Sequence, residues 1–104
     1  MRLWGVDPTK LCTQHLLGEH VETHMFAGCL IRNKNLSGYV NTGLVDLSML
    51  KTRHDILAEE LLRRGYNHNS QYPTIELPSL GYIDIVANEA ELRRRCRKCF
   101  REEE

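Results

Sequence analysis

The stretch Thr9–Ile31 carries the spacing of one long helix, and one face of that helix is polar where a small protein needs apolar cover. His15, Gly18, Glu19 and Glu22 fall at i, i+3, i+4 and i+7 and so share a side. Continued to about Asn33, such a helix is roughly 35 Å long. A helix of that length in a chain of 104 residues is packed over most of its circumference. A carboxylate buried there without a partner costs several kcal/mol, so Glu19 and Glu22 demand an explanation. The neighbouring line Leu17, Val21, Gly28 and Ile31 is the expected core face. The opening Met1-Arg2-Leu3-Trp4 lies only a few residues upstream. It is short enough to fold back beside Glu22.

Length allows a single domain, residues 1–104, with one modest core. The 14 basic and 14 acidic side chains cancel, which argues against a generally basic nucleic-acid binder. The charge is uneven, however: Arg93, Arg94, Arg95, Arg97, Lys98 and Arg101 are crowded near the C-terminal end. Three final glutamates offset half of them on an expected frayed tail. No apolar run approaches the ~18–20 residues that span a bilayer. Without a signal peptide, Cys12, Cys29, Cys96 and Cys99 are expected to be reduced thiols, and the chain cytoplasmic.

Local signals give three helices. Asp7-Pro8 starts the first, since Asp caps and Pro suits the first helical position. Asn33–Gly43 reads as a polar loop. Asp46 caps the second helix, whose apolar line is Leu47, Leu50, Leu57 and Leu61, widened by Ile56, Ala58 and Leu62. Glu59–Arg63 and Glu60–Arg64 are i, i+4 pairs expected on its outer side. Gly65 ends it as a left-handed cap. The stretch 68–86, with Pro73 and Pro78, has no clean period. Asn88 with Glu91 resembles a capping box for a third helix running to about Phe100, with Leu92, Cys96, Cys99 and Phe100 on its apolar line. The expected fold is mainly α: a compact domain of three helices with long ordered loops and little sheet.

Four groupings carry possible chemistry. An α-amine with a pKa of ~8 is about a tenth neutral at pH 7, against less than about a thousandth for lysine. Met1 beside Glu22 would therefore pair a nucleophile suited to imine formation with a proton-shuttling carboxylate. Its bland counterpart is a frayed Met1 and a solvated Glu22. The arginine-rich third helix suits phosphates, or is simply a solvated face. Cys96-Arg-Lys-Cys99 invites zinc, with Cys12 or a histidine completing the set. Both cysteines fall on the expected apolar line, though, and a second CxxC is missing, so no metal is expected. His20 and His24 have ligand spacing but no evident third ligand, and read as polar helix surface. His54 reads as a satisfied, partly buried histidine and Trp4 as a core anchor.

The opening Arg2, then Gln14-His15-Leu16, Glu19 and Glu22, resembles the pyrimidine-dimer DNA glycosylases of the phage endonuclease V type. Leu50 through Asn67, with Arg53, Leu57, Glu60, Leu62 and Arg64-Gly65-Tyr66-Asn67, is similar to that family's second helix and its exit. Gly81–Arg95 matches more weakly. The resemblance implies a compact helical DNA glycosylase with AP lyase activity and no cofactor. It implies that an N-terminal α-amine, here that of Met1, attacks C1′ of the damaged nucleotide, assisted by Glu22. A bulky Arg2 is expected to prevent removal of Met1. Arg2, Gln14 and His15 would contact DNA near the lesion, and Arg95, with Arg94 and Lys98, its phosphates. Val21 and Met25 stand where the phage enzyme has arginines, Glu91 replaces another, and the aromatic C-terminal segment is missing. These departures bear on substrate more than on chemistry.

The expectation is thus a monomeric repair enzyme acting on duplex DNA with a damaged pyrimidine, in association with nucleoid or viral DNA. A non-catalytic helical nucleic-acid-binding protein is the alternative. A zinc-stabilised interaction domain built on Cys96 and Cys99 is a third class.

Overall fold

A computed structural model describes residues 1–67 and 71–101. It is mainly α, as expected. Three longer helices, α1 (Thr13–Ile31), α3 (Leu50–Arg63) and α4 (Ile85–Arg95), are joined by the single turn α2 (Ser37–Val40) and two short strands. The strands β1 (Leu44–Asp46) and β2 (Gly81–Ile83) pair antiparallel, Val45 opposite Tyr82. Part of the unpatterned stretch 68–86 is therefore a strand. The expected loop 33–43 contains α2.

Several helix boundaries differ from expectation. Asp7 and Pro8 do cap a turn, but it is a separate 3₁₀ turn, Pro8–Lys10, closed by Thr9 N–H donating to Asp7. Leu11 and Cys12 are extended, and α1 starts only at Thr13. Asp46 caps a 3₁₀ turn, Leu47–Met49, which runs into α3. The cap of α4 is Asp84, which accepts from Ala87 N–H, and not Asn88. α4 stops at Arg95, so Arg97, Lys98, Cys99 and Phe100 are not helical.

The closure of α3 agrees with the sequence. Tyr66 N–H reaches Leu61 O and Gly65 N–H reaches Leu62 O, with Gly65 at φ +94°. That is the Schellman arrangement, which only a residue without Cβ adopts freely.

The core face of α1 is not the one expected. Leu17, Val21 and Ile31 are exposed, and the buried residues are Leu16, Glu19, His20, Thr23, Phe26 and Ala27. Polar residues occupy half of the buried face, so hydrophobicity pointed to the wrong stripe. On α3, Leu50, Leu57, Ala58 and Leu61 are buried as expected, while Ile56 and Leu62 face outward.

Two apolar clusters flank the α1–α3 packing. One holds Trp4, Leu11, Leu16, Leu57, Leu61, Leu92 and Cys99. The other holds Leu3, Phe26, Val45, Leu47 and Leu50. Leu3 and Trp4 enter different clusters because successive side chains of an extended segment point to opposite sides. At about 1.5–3 kcal/mol for each large side chain buried, these two anchors fix where the chain begins.

Candidate active site

The first five residues are held along their backbone by groups from three elements. Arg2 N–H donates to Glu22 Oε1 at 2.8 Å, and Leu3 N–H to Leu44 O at 2.8 Å. Trp4 N–H donates to Glu19 Oε2 at 3.0 Å. Asn88 Nδ2 donates to Leu3 O and Trp4 O at 3.1 and 3.0 Å. Gly5, at φ +74°, turns the chain where a Cβ would press on Ile83. A buried backbone needs its polar groups paired, and α1, β1 and α4 each supply partners here.

The two glutamates of the polar stripe do different work. Glu19 is fully buried and receives Arg53 Nε at 2.7 Å and Arg53 Nη2 at 3.1 Å. Its charge is neutralised inside the protein, and its remaining capacity positions Trp4. Glu22, one turn on, is half-buried and faces a cavity of about 610 Å³. Met1, Arg2, Trp4, Gln14, His15, Gly18, Glu19, Glu22, Tyr39, Leu44 and Arg95 line it. All four residues of the stripe, His15, Gly18, Glu19 and Glu22, thus open on one hollow. The terminal amine is three covalent bonds from the Arg2 nitrogen that Glu22 holds, a span of at most about 4 Å. Met1 and Glu22 both line this cavity, whose volume lies in the range of small-molecule ligand sites, roughly 300–1,000 Å³.

Cationic groups rim this hollow. The Arg2 guanidinium lies 4.1 Å from the Trp4 ring centroid, and its Nη2 donates to Asn88 Oδ1 at 2.6 Å. Burial, then the nearby Arg95 charge, lowers the Arg2 pKa from its ordinary value. Arg2 Nε is buried and has no hydrogen-bond partner among the described residues, a costly state that a bound acceptor would relieve. Arg95 reaches the same ring at 5.5 Å. Burial, then Arg95, also lowers the His15 pKa, so its imidazole is neutral at pH 7.

Of the residues marked in the sequence, Met1, Glu22, Arg2, Gln14, His15 and Arg95 are brought to one cavity. Arg94 and Lys98 are exposed and do not line it. Arg93, Arg94 and Arg95 pair with Glu89 or Glu91 on their own helix. Trp4 is both core anchor and cavity wall. Arg53, Asn88 and Tyr39 were not anticipated. Arg53 was detectable as a cation beside the apolar line of α3; Asn88 and Tyr39 carried no local signal.

Two clusters of metal-ligand type also form. His20, His24 and His54 place one ligand atom each within 4.8 Å of one another, so His20 and His24 do meet a third histidine, and His20 is buried rather than on the surface. Cys12, His15, Cys96 and Cys99 do the same. Cys96 and Cys99 lie in a turn beyond α4, not on a helical apolar line.

On this helical scaffold the first residue and a glutamate of α1 line one arginine-rimmed cavity. The family model described as Pyrimidine dimer DNA glycosylase matches residues 1–74, and the chain belongs to that family. No curated protein and no solved structure matches the chain significantly.

Proposed function

We propose that this protein is a DNA glycosylase with AP lyase activity, acting as a monomer on cyclobutane pyrimidine dimers or a related damaged pyrimidine in duplex DNA. The observation that supports the reading is that Met1 and Glu22 line one cavity, with Arg2 N–H donating to Glu22, in a chain of the pyrimidine dimer DNA glycosylase family.

The neutral Met1 amine attacks C1′ of the damaged nucleotide. The C1′–N bond breaks and its electron pair leaves with the pyrimidine. Loss of the amine proton and opening of the sugar give an imine between the chain and C1′. Glu22 stabilises the cationic sugar as the base departs, then accepts the C2′ proton. The C3′–O bond breaks by β-elimination, its electrons leaving on the phosphate, and water hydrolyses the imine. Neutral His15 adds no charge to the site, while Arg2 and Arg95 supply positive charge for the phosphates beside the opened sugar. No step calls on a cofactor.

Borohydride reduction tests this directly. A glycosylase/lyase gives a covalent protein–DNA adduct on duplex carrying an abasic site or a pyrimidine dimer. A chain that shifts DNA in gels yet yields neither adduct nor nicked strand is a binding protein on the same scaffold.

A further inference from the structure

We propose that Cys12, His15, Cys96 and Cys99 form a structural zinc site that clamps the two ends of the chain together. The inference does not rest on the glycosylase reading.

The argument is geometric. Four-coordinate zinc, with bonds of about 2.3 Å to sulfur and 2.0–2.1 Å to nitrogen, sets tetrahedral edges of about 3.8 Å between sulfurs and about 3.5 Å between nitrogen and sulfur. Cys12 Sγ and Cys96 Sγ are 3.9 Å apart. His15 Nδ1 lies 3.2 Å from Cys12 Sγ and 3.5 Å from Cys99 Sγ. All four donor atoms fall within 4.8 Å of one another. The side chains therefore already stand near the corners of the tetrahedron a zinc ion imposes.

A backbone donor also faces one of the sulfurs. Cys12 N–H donates to Cys99 Sγ at 3.3 Å. Such a donor stabilises a thiolate ligand from outside the coordination sphere. The turn that aims Cys96 and Cys99 inward puts Phe100 at φ +64°, an unfavourable conformation for a residue with a side chain. Its N–H is tied to Lys10 O at 2.7 Å, beside the 3₁₀ turn that leads to Cys12. Cys29 packs against the other apolar cluster, so it serves as an internal control.

Three cysteines and one histidine leave no open position on zinc, which makes the site structural. One ligand pair, Cys12-x-x-His15, opens α1, and the other, Cys96-x-x-Cys99, follows α4. Metal binding would hold the end of α4, and with it Arg95, against the start of α1.

The test is metal analysis of protein purified under reducing conditions from zinc-supplemented cells. About one zinc per chain is expected, retained by Cys29→Ser and lost by Cys96→Ser or Cys99→Ser. Cobalt(II) exchanged into the wild-type chain should give the strong visible absorption of a tetrahedral ion together with a thiolate charge-transfer band. His15→Cys should keep zinc and change the cobalt spectrum, a result open to measurement even if the serine variants fail to fold. Wild-type chain free of zinc, a six-coordinate cobalt spectrum, or an intact mass short of two hydrogens from a Cys12–Cys96 disulfide would each overturn the proposal.

Discussion

Arg53 grips Glu19 through two hydrogen bonds, Nε to Oε2 at 2.7 Å and Nη2 to Oε1 at 3.1 Å, with both side chains almost wholly buried. The pair lies between α1 and α3, and Glu19 Oε2 also receives Trp4 N–H. The ion pair is thus a spacer that sets the N-terminal segment at a fixed height over α1. Removing one partner strands the other charge in the interior. Arg53→Met should therefore destabilise the protein by about 3–5 kcal/mol, more than a simple loss of contact. The double replacement Glu19→Met with Arg53→Met should recover much of that stability, because no charge is left buried. It should not restore activity, since Trp4 loses its anchor. Urea unfolding of the three variants checks the order; equal stability of the single and double variants would contradict it.

Glu22 is different in kind. It is half-buried and faces the cavity, and it accepts a hydrogen bond from the backbone of Arg2. An amide at this position still accepts that hydrogen bond, so Glu22→Gln should fold with a change of about 1 kcal/mol or less. Affinity for lesion-bearing duplex should be kept. Strand cleavage should fall by about 10²–10⁴-fold, the range for loss of a general acid–base group. Parallel melting, binding and incision assays separate these effects. Cleavage at the normal rate would remove Glu22 from the mechanism.

Blocking the terminus probes the other half of the pair. Met1 packs against the apolar cluster around Leu3 and Phe26 while lining the cavity. Reductive methylation to a tertiary amine, or an acetyl group on Met1, leaves the side chain in place but prevents imine formation. The borohydride adduct should vanish with little change in melting temperature. Intact mass measured alongside establishes whether Met1 is retained, and adduct formation by a fully blocked chain would require another nucleophile.

The polar stripe was legible because helical spacing is local: positions 15, 18, 19 and 22 share a face whatever surrounds them, and they do line one cavity. What surrounds them was not legible. Glu19 and Glu22 look alike in sequence, and only Arg53, 34 residues away, makes one a structural ion while the other faces the cavity. Asn88 looked like a helix cap because its spacing to Glu91 fits one, but its amide is committed to Leu3 and Trp4 across the fold. The exposed Leu17, Val21 and Ile31 misled for the converse reason: apolar residues with helical spacing do not say which side the rest of the chain covers. Cys12 or a histidine was legible as a partner for Cys96-x-x-Cys99, but which histidine was not: the fold, not the spacing, brings His15 to the three sulfurs.

Glu91 holds Arg94 and Arg95 at 2.7 and 3.0 Å on the surface of α4. Exposed pairs of this kind contribute little to stability, but they cancel charge that could meet phosphates. Glu91→Gln should leave the fold intact, tighten duplex binding several-fold and steepen its salt dependence. Arg95→Ala should weaken binding and flatten the slope of log K against log salt by about one unit. Titrations across a range of salt concentrations measure both. An unchanged slope in the arginine variant would take Arg95 off the phosphate backbone.

Glu60, expected on the outer side of α3, is buried at the end of that helix and takes two cations at once. Arg63 first, and Arg64 after it, hold its pKa down from an ordinary 4.5 to about 2 against the opposing effect of burial. Arg64, steered by Glu60, also donates to Leu11 O at 2.7 Å and Pro8 O at 3.2 Å, which ties the first 3₁₀ turn to the end of α3. A carboxylate whose pKa is depressed by folding stabilises the native state fully above its unfolded value. That contribution disappears as pH falls from about 4.5 towards about 2, because the unfolded chain takes up the proton first. Within this window Glu60 should add a slope of about 1.4 kcal/mol per pH unit to the unfolding free energy. Glu60→Gln should lower stability at neutral pH and show that much less acid sensitivity than the wild type. Unfolding curves collected at intervals from pH 5 down to pH 2 give the difference, and parallel profiles for the two proteins would mean that the ion pairs do not discriminate between the folded and unfolded chain.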